Sequence, residues 1–297
     1  MGTPEFAVPS LEILVENKFN VVAVVTAPDK PQGRGQKIAF SPVKEAALKH
    51  NIPVLQPVNL KAPEFLTELQ NLKADLQIVV AFRMLPDLVW SMPVIGTFNL
   101  HASLLPNYRG AAPINWAIIN GENETGVTTF FIQHDIDTGS IILQDREPIY
   151  DDDTASTLYD RLKKKGALLV LRTARSIGEK NYRTTPQPKT GYFKTAPKIF
   201  KETCAINWNH VSKQVCDFVR GLSTYPAAWT TFNGKTYKVY KVSGATLKEE
   251  KKAGEYVTDN QNYLYVKTGD GWVSIDELQP EGKRKMAIQE FFHGNKL

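Results

Sequence analysis

The sequence predicts an α/β chain in two parts, an open and mainly parallel sheet followed by a small β-barrel. Three observations predict it. The first part alternates short apolar runs with helical patterns, the signature of strands joined by crossover helices. A basic, proline-bearing stretch then interrupts the pattern. Beyond it, short strand-like runs follow one another with turn signals between them, as in small barrels.

Taken in order, residues 21–26 (VVAVVT), 53–55, 76–82 (LQIVVAF) and 97–101 are apolar runs too short for helices. Between them, residues 9–16, 42–49 and 63–72 carry helical patterns, and Pro42 and Pro63 suit a first helical turn. Residues 126–133 and 140–149, joined through HDIDTG, predict an antiparallel pair. A long helix over 155–177 closes this part. The stretch 181–203 holds three prolines and little apolar periodicity, so it reads as a linker. After a helical segment at 211–222, strands are expected at 229–232, 236–242, 264–268 and 272–275, with turns at Asn233-Gly234 and Gly269-Asp270-Gly271. The expected division is a domain over 1–185, a basic linker over 186–203 and a second domain over 204–297. A chain of 297 residues is long enough for two domains.

Composition narrows the class. The apolar fraction of 42% is that of a soluble globular protein, and no apolar run approaches the ~18 residues of a membrane span. Two cysteines, Cys204 and Cys216, cannot build a disulfide framework, and the five histidines lack metal-ligand spacing. A cytoplasmic protein without a metal is expected. Residues 1–185 hold 19 Lys+Arg against 20 Asp+Glu, net −1, whereas residues 186–297 hold 17 against 11, net +6. The excess charge therefore sits in the last third, where a polyanion would gain by releasing its counterions.

The stretch FNLHASLLPNYRGAAP, residues 98–113, bears the chemistry. Side chains two apart on a strand share a face, so Asn99 and His101 point the same way at the end of a strand. Ligands of open α/β sheets bind at such carboxyl ends. An amide that donates to a developing oxyanion, beside an imidazole that passes a proton, is an acyl-transfer pair. Leu104, Leu105 and Pro106 could wall such a site. A carboxylate is needed to orient the imidazole and favour its protonated form, and Asp135 and Asp137 of HDIDTG are the candidates. Ser103 has no nucleophile elbow around it. Gly33–Arg34–Gly35 matches neither a dinucleotide fingerprint nor a Walker pattern; with Lys30 and Lys37 it reads instead as a mobile basic loop.

Asn99-x-His101-x-Ser-Leu-Leu-Pro, the downstream Asp137-Thr138-Gly139 and the opening GTPEFAV together resemble the methionyl-tRNA formyltransferase family. So do PDKPQGRGQKIAFSPVK, YRGAAPINWAI, ETGVT and LQPEGKRKM, in order along almost the whole chain. The resemblance implies a Rossmann-like formyl-transfer domain and an OB-fold-like barrel. It implies transfer of a formyl group from 10-formyltetrahydrofolate to methionine esterified to initiator tRNA, with Asn99, His101 and Asp137 catalytic. Ser103, Leu104, Leu105 and Pro106 are then expected at the folate site, with Arg83, Met84 and Leu85. That last segment, Phe82 to Pro86, is one residue shorter than the family's usual run and looks more like glycinamide ribonucleotide formyltransferase. Arg34, Lys30, Lys37 and Lys198 are expected to meet tRNA, and a monomer that needs no metal is expected.

Two other functions compete. A folate-dependent formyltransferase of a small amine or amino sugar nucleotide would need only one domain, which the basic linker and tail argue against. A tRNA-binding module without catalysis is opposed by the intact Asn99, His101 and Asp137. The family's turn at residues 1–6 is preceded by a strand, so one further strand is expected ahead of Met1, beside residues 21–26.

Overall fold

The computed structural model describes residues 1–32 and 37–297. The expectations for Gly33, Arg34 and Gly35 lie outside the described residues. The chain forms two compact units. The first comprises residues 1–109, 126–147 and 159–194; the second comprises 110–125, 148–158 and 195–297.

In the first unit, α1 (Val8–Glu16), α2 (Pro42–Lys49) and α3 (Pro63–Asn71) lie where the periodicity predicts them, each with proline in its first turn. Proline fits there because its absent N–H has no intrahelical partner to lose. Ser41 caps α2, its Oγ accepting from Lys44 N at 3.1 Å. The strands are β1 (Val24–Val25), β2 (Lys30–Gln32), β3 (Lys37–Ala39), β4 (Val54–Leu55), β5 (Leu76–Val80) and β6 (Gly96–His101). β1 is far shorter than the apolar run 21–26, because it pairs only with the two residues of β4, Val24 with Val54 and Val25 with Leu55. Met1 and Gly2 stand between β1 and β5. The Met1 amine donates to Ile78 O at 2.6 Å, Val80 N donates to Met1 O at 2.9 Å, and Gly2 N donates to Val25 O at 3.0 Å. β2 and β3 pair antiparallel, with Lys30 opposite Ala39, in the stretch read from sequence as a loop.

The chain then forms α4 (Asp87–Trp90), β7 (Arg109–Gly110), α5 (Pro113–Ile119), β8 (Glu124–Phe131), β9 (Ile141–Pro148) and α6 (Ala155–Gly178). The main sheet runs β5-β6-β8-β9, parallel between β5 and β6 and antiparallel between β6 and β8. β6 is thus flanked on both sides. Phe98 and Leu100 on one face of β6 are buried, and Leu100 comes so close to α6 that a Cβ on Gly166 would lie 2.7 Å from its Cδ2. The glycine lets the helix seat on the strand. Glu147 at the end of β9 accepts from Arg161 Nε at 2.7 Å and pairs with Lys165 Nζ at 2.8 Å, both on α6.

The second unit holds β10 (Thr195–Ala196), α7 (Ser212–Leu222), β11 (Ala228–Phe232), β12 (Lys235–Ala245), β13 (Tyr256–Thr258), β14 (Leu264–Lys267), β15 (Trp272–Pro280), β16 (Met286–Ala287) and α8 (Ile288–Phe292). The sheet order is β11-β12-β15-β14-β13, with β16 on β15. Its pairings are antiparallel and, among the described residues, no pairing joins β11 to β13. This is a curled half-barrel, open where a closed barrel would pair its edges. Val239, Leu264, Val266, Val273, Ile275 and Leu278 fill its inside without measurable exposure. The register shift around Lys241 bends β12 where it crosses β15. α5 packs here on α7, with Asn115 Nδ2 donating to Gly221 O at 2.8 Å. A Cβ on Gly221 would lie 2.7 Å from Ile119 Cγ1, so the helices approach at a glycine.

Two outcomes are expected. Phe98→Ala should cost about 3–5 kcal/mol in chemical denaturation, because it empties a fully buried site behind β6. Burial works to raise the Glu147 carboxyl, but hydrogen bonds and charge from Lys165 and Arg161 prevail and hold it below its ordinary value. A depressed carboxyl gives stability that is full above the unfolded value near 4.5 and is lost as pH falls through the folded one. Glu147→Gln should therefore lower stability at neutral pH and flatten the acid limb of the stability profile, as read by melting temperature against pH.

Candidate active site

β6 delivers Asn99 and His101 to one face. Asn99 lies opposite Phe130 of β8 and beside Val79 of β5, and His101 lies opposite Thr128. Because Phe98 and Leu100 are committed to the other face, the register cannot slip without burying the amide and the imidazole in the core. Among the described residues the Asn99 amide makes no hydrogen bond.

His101 is buried, at 6% exposure. Its Nε2 lies 2.8 Å from the carbonyl oxygen of Tyr108. A carbonyl only accepts, so Nε2 carries a proton and donates it. Nδ1 is consequently the nitrogen turned to Asp137, whose Oδ2 stands 3.8 Å away. That separation is longer than a hydrogen bond. Of the two acids in HDIDTG, Asp137 is the one brought to His101, while Asp135 is exposed and contributes its carbonyl to Thr138 Oγ1 at 3.0 Å.

The loop reaches this place through backbone that its residues must tolerate. Asp137 adopts φ 54°, a left-handed conformation that Asp enters more readily than most side chains. A Cβ on Gly139 would fall 1.6 Å from the carbonyl oxygen of Phe131, so only glycine lets the loop fold back on β8. Two further bonds hold it. Gln187 Nε2 donates to Asp137 O at 2.9 Å and to Gly139 O at 2.8 Å.

The segment after β6 is also pinned. Ser103 Oγ donates to Asn107 O at 2.7 Å, and Thr128 Oγ1 donates to Ser103 O at 2.6 Å. Gln144 Nε2 donates to Leu105 O at 2.9 Å and to Thr128 Oγ1 at 2.9 Å. Ser103 and Leu105 are buried, whereas Leu104 and Pro106 are partly open, so those two supply the accessible apolar surface. The Ser103 hydroxyl thus donates to backbone and not to His101. Of the other segment expected to line the site, Arg83 is exposed and directs its guanidinium to the carbonyls of Pro57 and Val58. Met84 is 73% exposed, and Leu85 is buried in a core cluster with Val25, Leu55 and Val89. Lys30 is exposed on β2, Lys37 opens β3, and Lys198 lies in the other unit with its Nζ over the Phe200 ring at 5.4 Å.

Among the described residues no group of three His, Cys, Asp or Glu is placed to hold a metal, and no helix is long and apolar enough to cross a membrane. Sequence reading missed Tyr108, Arg109 and Gln187. Gln187 stands between two prolines in a stretch that reads as a linker, and nothing in its neighbours distinguishes it.

A family model described as formyl transferase matches residues 1–173, and one described as formyl transferase, C-terminal domain, matches residues 198–296. The chain belongs to the formyl transferase family and is a formyl-transfer enzyme. Among its relatives, a protein named methionyl-tRNA formyltransferase from Bacteroides fragilis is 51% identical over 302 residues, covering 99% of this chain and 93% of that one. One of the same name from Flavobacterium johnsoniae is 49% identical over 298 residues, covering 99% and 94%.

Solved structures share the fold. An N-formyltransferase from Helicobacter canadensis, in complex with folinic acid and dTDP-3-aminofucose, superposes with a TM-score of 0.67 at 24% identity, covering 94% of this chain and 97% of that one. HypX from Aquifex aeolicus, in complex with tetrahydrofolic acid, gives 0.61 at 22% identity over 84% of this chain, which spans less than half (44%) of the HypX chain.

Gly139→Ala should drag Asp137 out of place. A displacement near 1 Å costs about 10²-fold in a positioned reaction, so formyl-transfer turnover should fall by that order, measured beside an unchanged far-ultraviolet circular dichroism spectrum.

Proposed function

We propose that this chain transfers the formyl group of 10-formyltetrahydrofolate to the α-amino group of methionine esterified to initiator tRNA, in the cytoplasm, at the start of translation. The observation that carries the reading is the convergence of Asn99, His101 and Asp137 at one strand end, with Nδ1 of His101 turned to the carboxylate at 3.8 Å. Likeness over nearly the full length to relatives of that name supports the acceptor.

The residues present fit a folate donor. The Asn99 amide offers an unclaimed donor, and Leu104, Pro106 and the exposed Met84 offer apolar surface to a flat ring. The formyl group on N10 supplies an electrophilic carbon. Asn99 donates to the formyl oxygen as it gains charge; such a donor is worth about 3–4 kcal/mol of barrier. His101 uses Nδ1, since Nε2 is held by Tyr108. From Nδ1 it takes the proton that the attacking amine sheds, and it returns that proton toward N10 as the bond to carbon breaks. Asp137 stabilises the imidazolium between those events. The net charge of +6 over residues 186–297, with Lys198, and the cations Lys30, Arg34 and Lys37 give the tRNA phosphates partners.

The purified protein should convert methionyl-tRNA to its formyl ester when given 10-formyltetrahydrofolate, and should leave amino sugar nucleotides unformylated. Formylation of the sugar amine and none of the tRNA would overturn the reading. His101→Ala and Asp137→Asn should each cut turnover by two or more orders of magnitude with little loss of tRNA affinity, since both groups act mainly in the transition state. Arg34→Ala should raise the KM for methionyl-tRNA while leaving folate binding unchanged. Wild-type affinity for tRNA should fall steeply with salt, read by filter binding between about 50 and 200 mM.

A further inference from the structure

Beyond Asn99, His101 and Asp137, one buried side chain holds the loop that carries Asp137. Gln187, at 8% exposure, donates both of its Nε2 protons to that loop, at Asp137 O (2.9 Å) and Gly139 O (2.8 Å). Its Oε1 accepts from Arg109 Nε at 3.1 Å and Arg109 Nη2 at 2.6 Å. The amide is therefore saturated, and its orientation is set by a guanidinium that can only donate. Were Gln187 turned over, two N–H groups would face Arg109 and two carbonyls would face its oxygen.

The same segment reaches the other member of the pair. Tyr108, whose carbonyl holds His101 Nε2, donates its own N–H to Lys194 O at 2.5 Å, and Lys194 N donates to Asn107 Oδ1 at 3.2 Å. Arg109 follows Tyr108 in the chain. The carboxylate and the imidazole are thus tied through one stretch, residues 187–194, which belongs to the first unit.

We propose that Gln187, oriented by Arg109, is a positioning residue for formyl transfer that sets the placement of Asp137 against His101 Nδ1. This deepens the reading above and rests on Asp137 and His101 being catalytic. The side-chain bonds of Gln187 go to Arg109 and to the carbonyls of Asp137 and Gly139, not to the Asp137 carboxylate or the imidazole. Without its two donations the left-handed backbone at Asp137 keeps fewer restraints, and the 3.8 Å geometry spreads over a range. The step that suffers is the one in which the imidazolium forms.

Two variants test it in the full-length protein. Gln187→Met has similar length and no charge, and it removes both donations and the acceptor. Gln187→Glu keeps the pairing with Arg109 but has no protons for the two carbonyls. Both should lower kcat 10- to 100-fold, with the KM values for methionyl-tRNA and 10-formyltetrahydrofolate within about threefold of wild type. In an Asp137→Asn background neither should cost more than about twofold further, because a residue acting through Asp137 has nothing left to position. Wild-type kcat in both variants would overturn the proposal. So would a full additional loss in the Asp137→Asn background, or a loss in Gln187→Met alone, which would place the effect on Arg109.

A readout independent of turnover keeps the two readings apart. In protein labelled with 15N-histidine, the ring nitrogen signals of His101, identified by their loss in His101→Ala, should move in Gln187→Met while those of the other four histidines stay. If wild type fails to formylate methionyl-tRNA, the functional reading falls and these signals alone judge the brace. Unmoved His101 signals would then overturn it.

Discussion

The site depends on the hydrogen bond from His101 Nε2 to the carbonyl of Tyr108, 2.8 Å long and buried. It decides which nitrogen carries a proton, and so which one is turned to Asp137. A buried imidazole with two equivalent neighbours could turn over; with a carbonyl on one side and a carboxylate on the other, its two nitrogens have different duties. The carbonyl itself is placed by backbone with φ 61° at Tyr108 and by the bond from its N–H to Lys194. A main-chain carbonyl hydrogen-bonded directly to the imidazole thus sets which ring nitrogen is turned to the carboxylate.

The sheet supplies the rigid side of the site and the loop supplies the adjustable side. Asn99 and His101 stand on the central strand β6, paired on both edges and backed by Phe98 and Leu100 against α6. Asp137 stands on a loop whose course depends on Gly139 and on side chains from distant sequence. Side chains on strands hold position through the ladder, whereas one on a loop needs separate restraints. The two bonds from Gln187 to the carbonyls of Asp137 and Gly139 supply such restraints.

The second unit has a different physical character. Its core is a curled antiparallel sheet filled by β-branched and leucine side chains, with α7 packed across it. Residues 195–297 hold 15 Lys+Arg against 11 Asp+Glu, and the five acids of residues 110–125 and 148–158 bring this unit to net −1. α5 and residues 148–158 join this unit although they precede the linker in sequence. Helix-on-helix packing at Asn115, Ile119 and Gly221 is stronger in deciding compactness than order along the chain.

Much of this was legible in the residues. The helices at Val8–Glu16, Pro42–Lys49 and Ala155–Gly178 followed from periodicity and proline placement, because a helix is specified by neighbours within four positions. The i, i+2 spacing of Asn99 and His101 determined that they share a face, since alternation is a local property of any strand. Other features were decided only in three dimensions. Strand length at β1 depends on the two-residue partner β4, and β2 and β3 pair where glycine and charge suggested a loop. Asp137 rather than Asp135 beside His101, the proton on Nε2, and the bonds of Gln187 to a loop fifty residues away depend on which groups the folded chain brings together. Periodicity and spacing act through neighbours along the chain, and hydrogen bonds and buried charge act through distance in space.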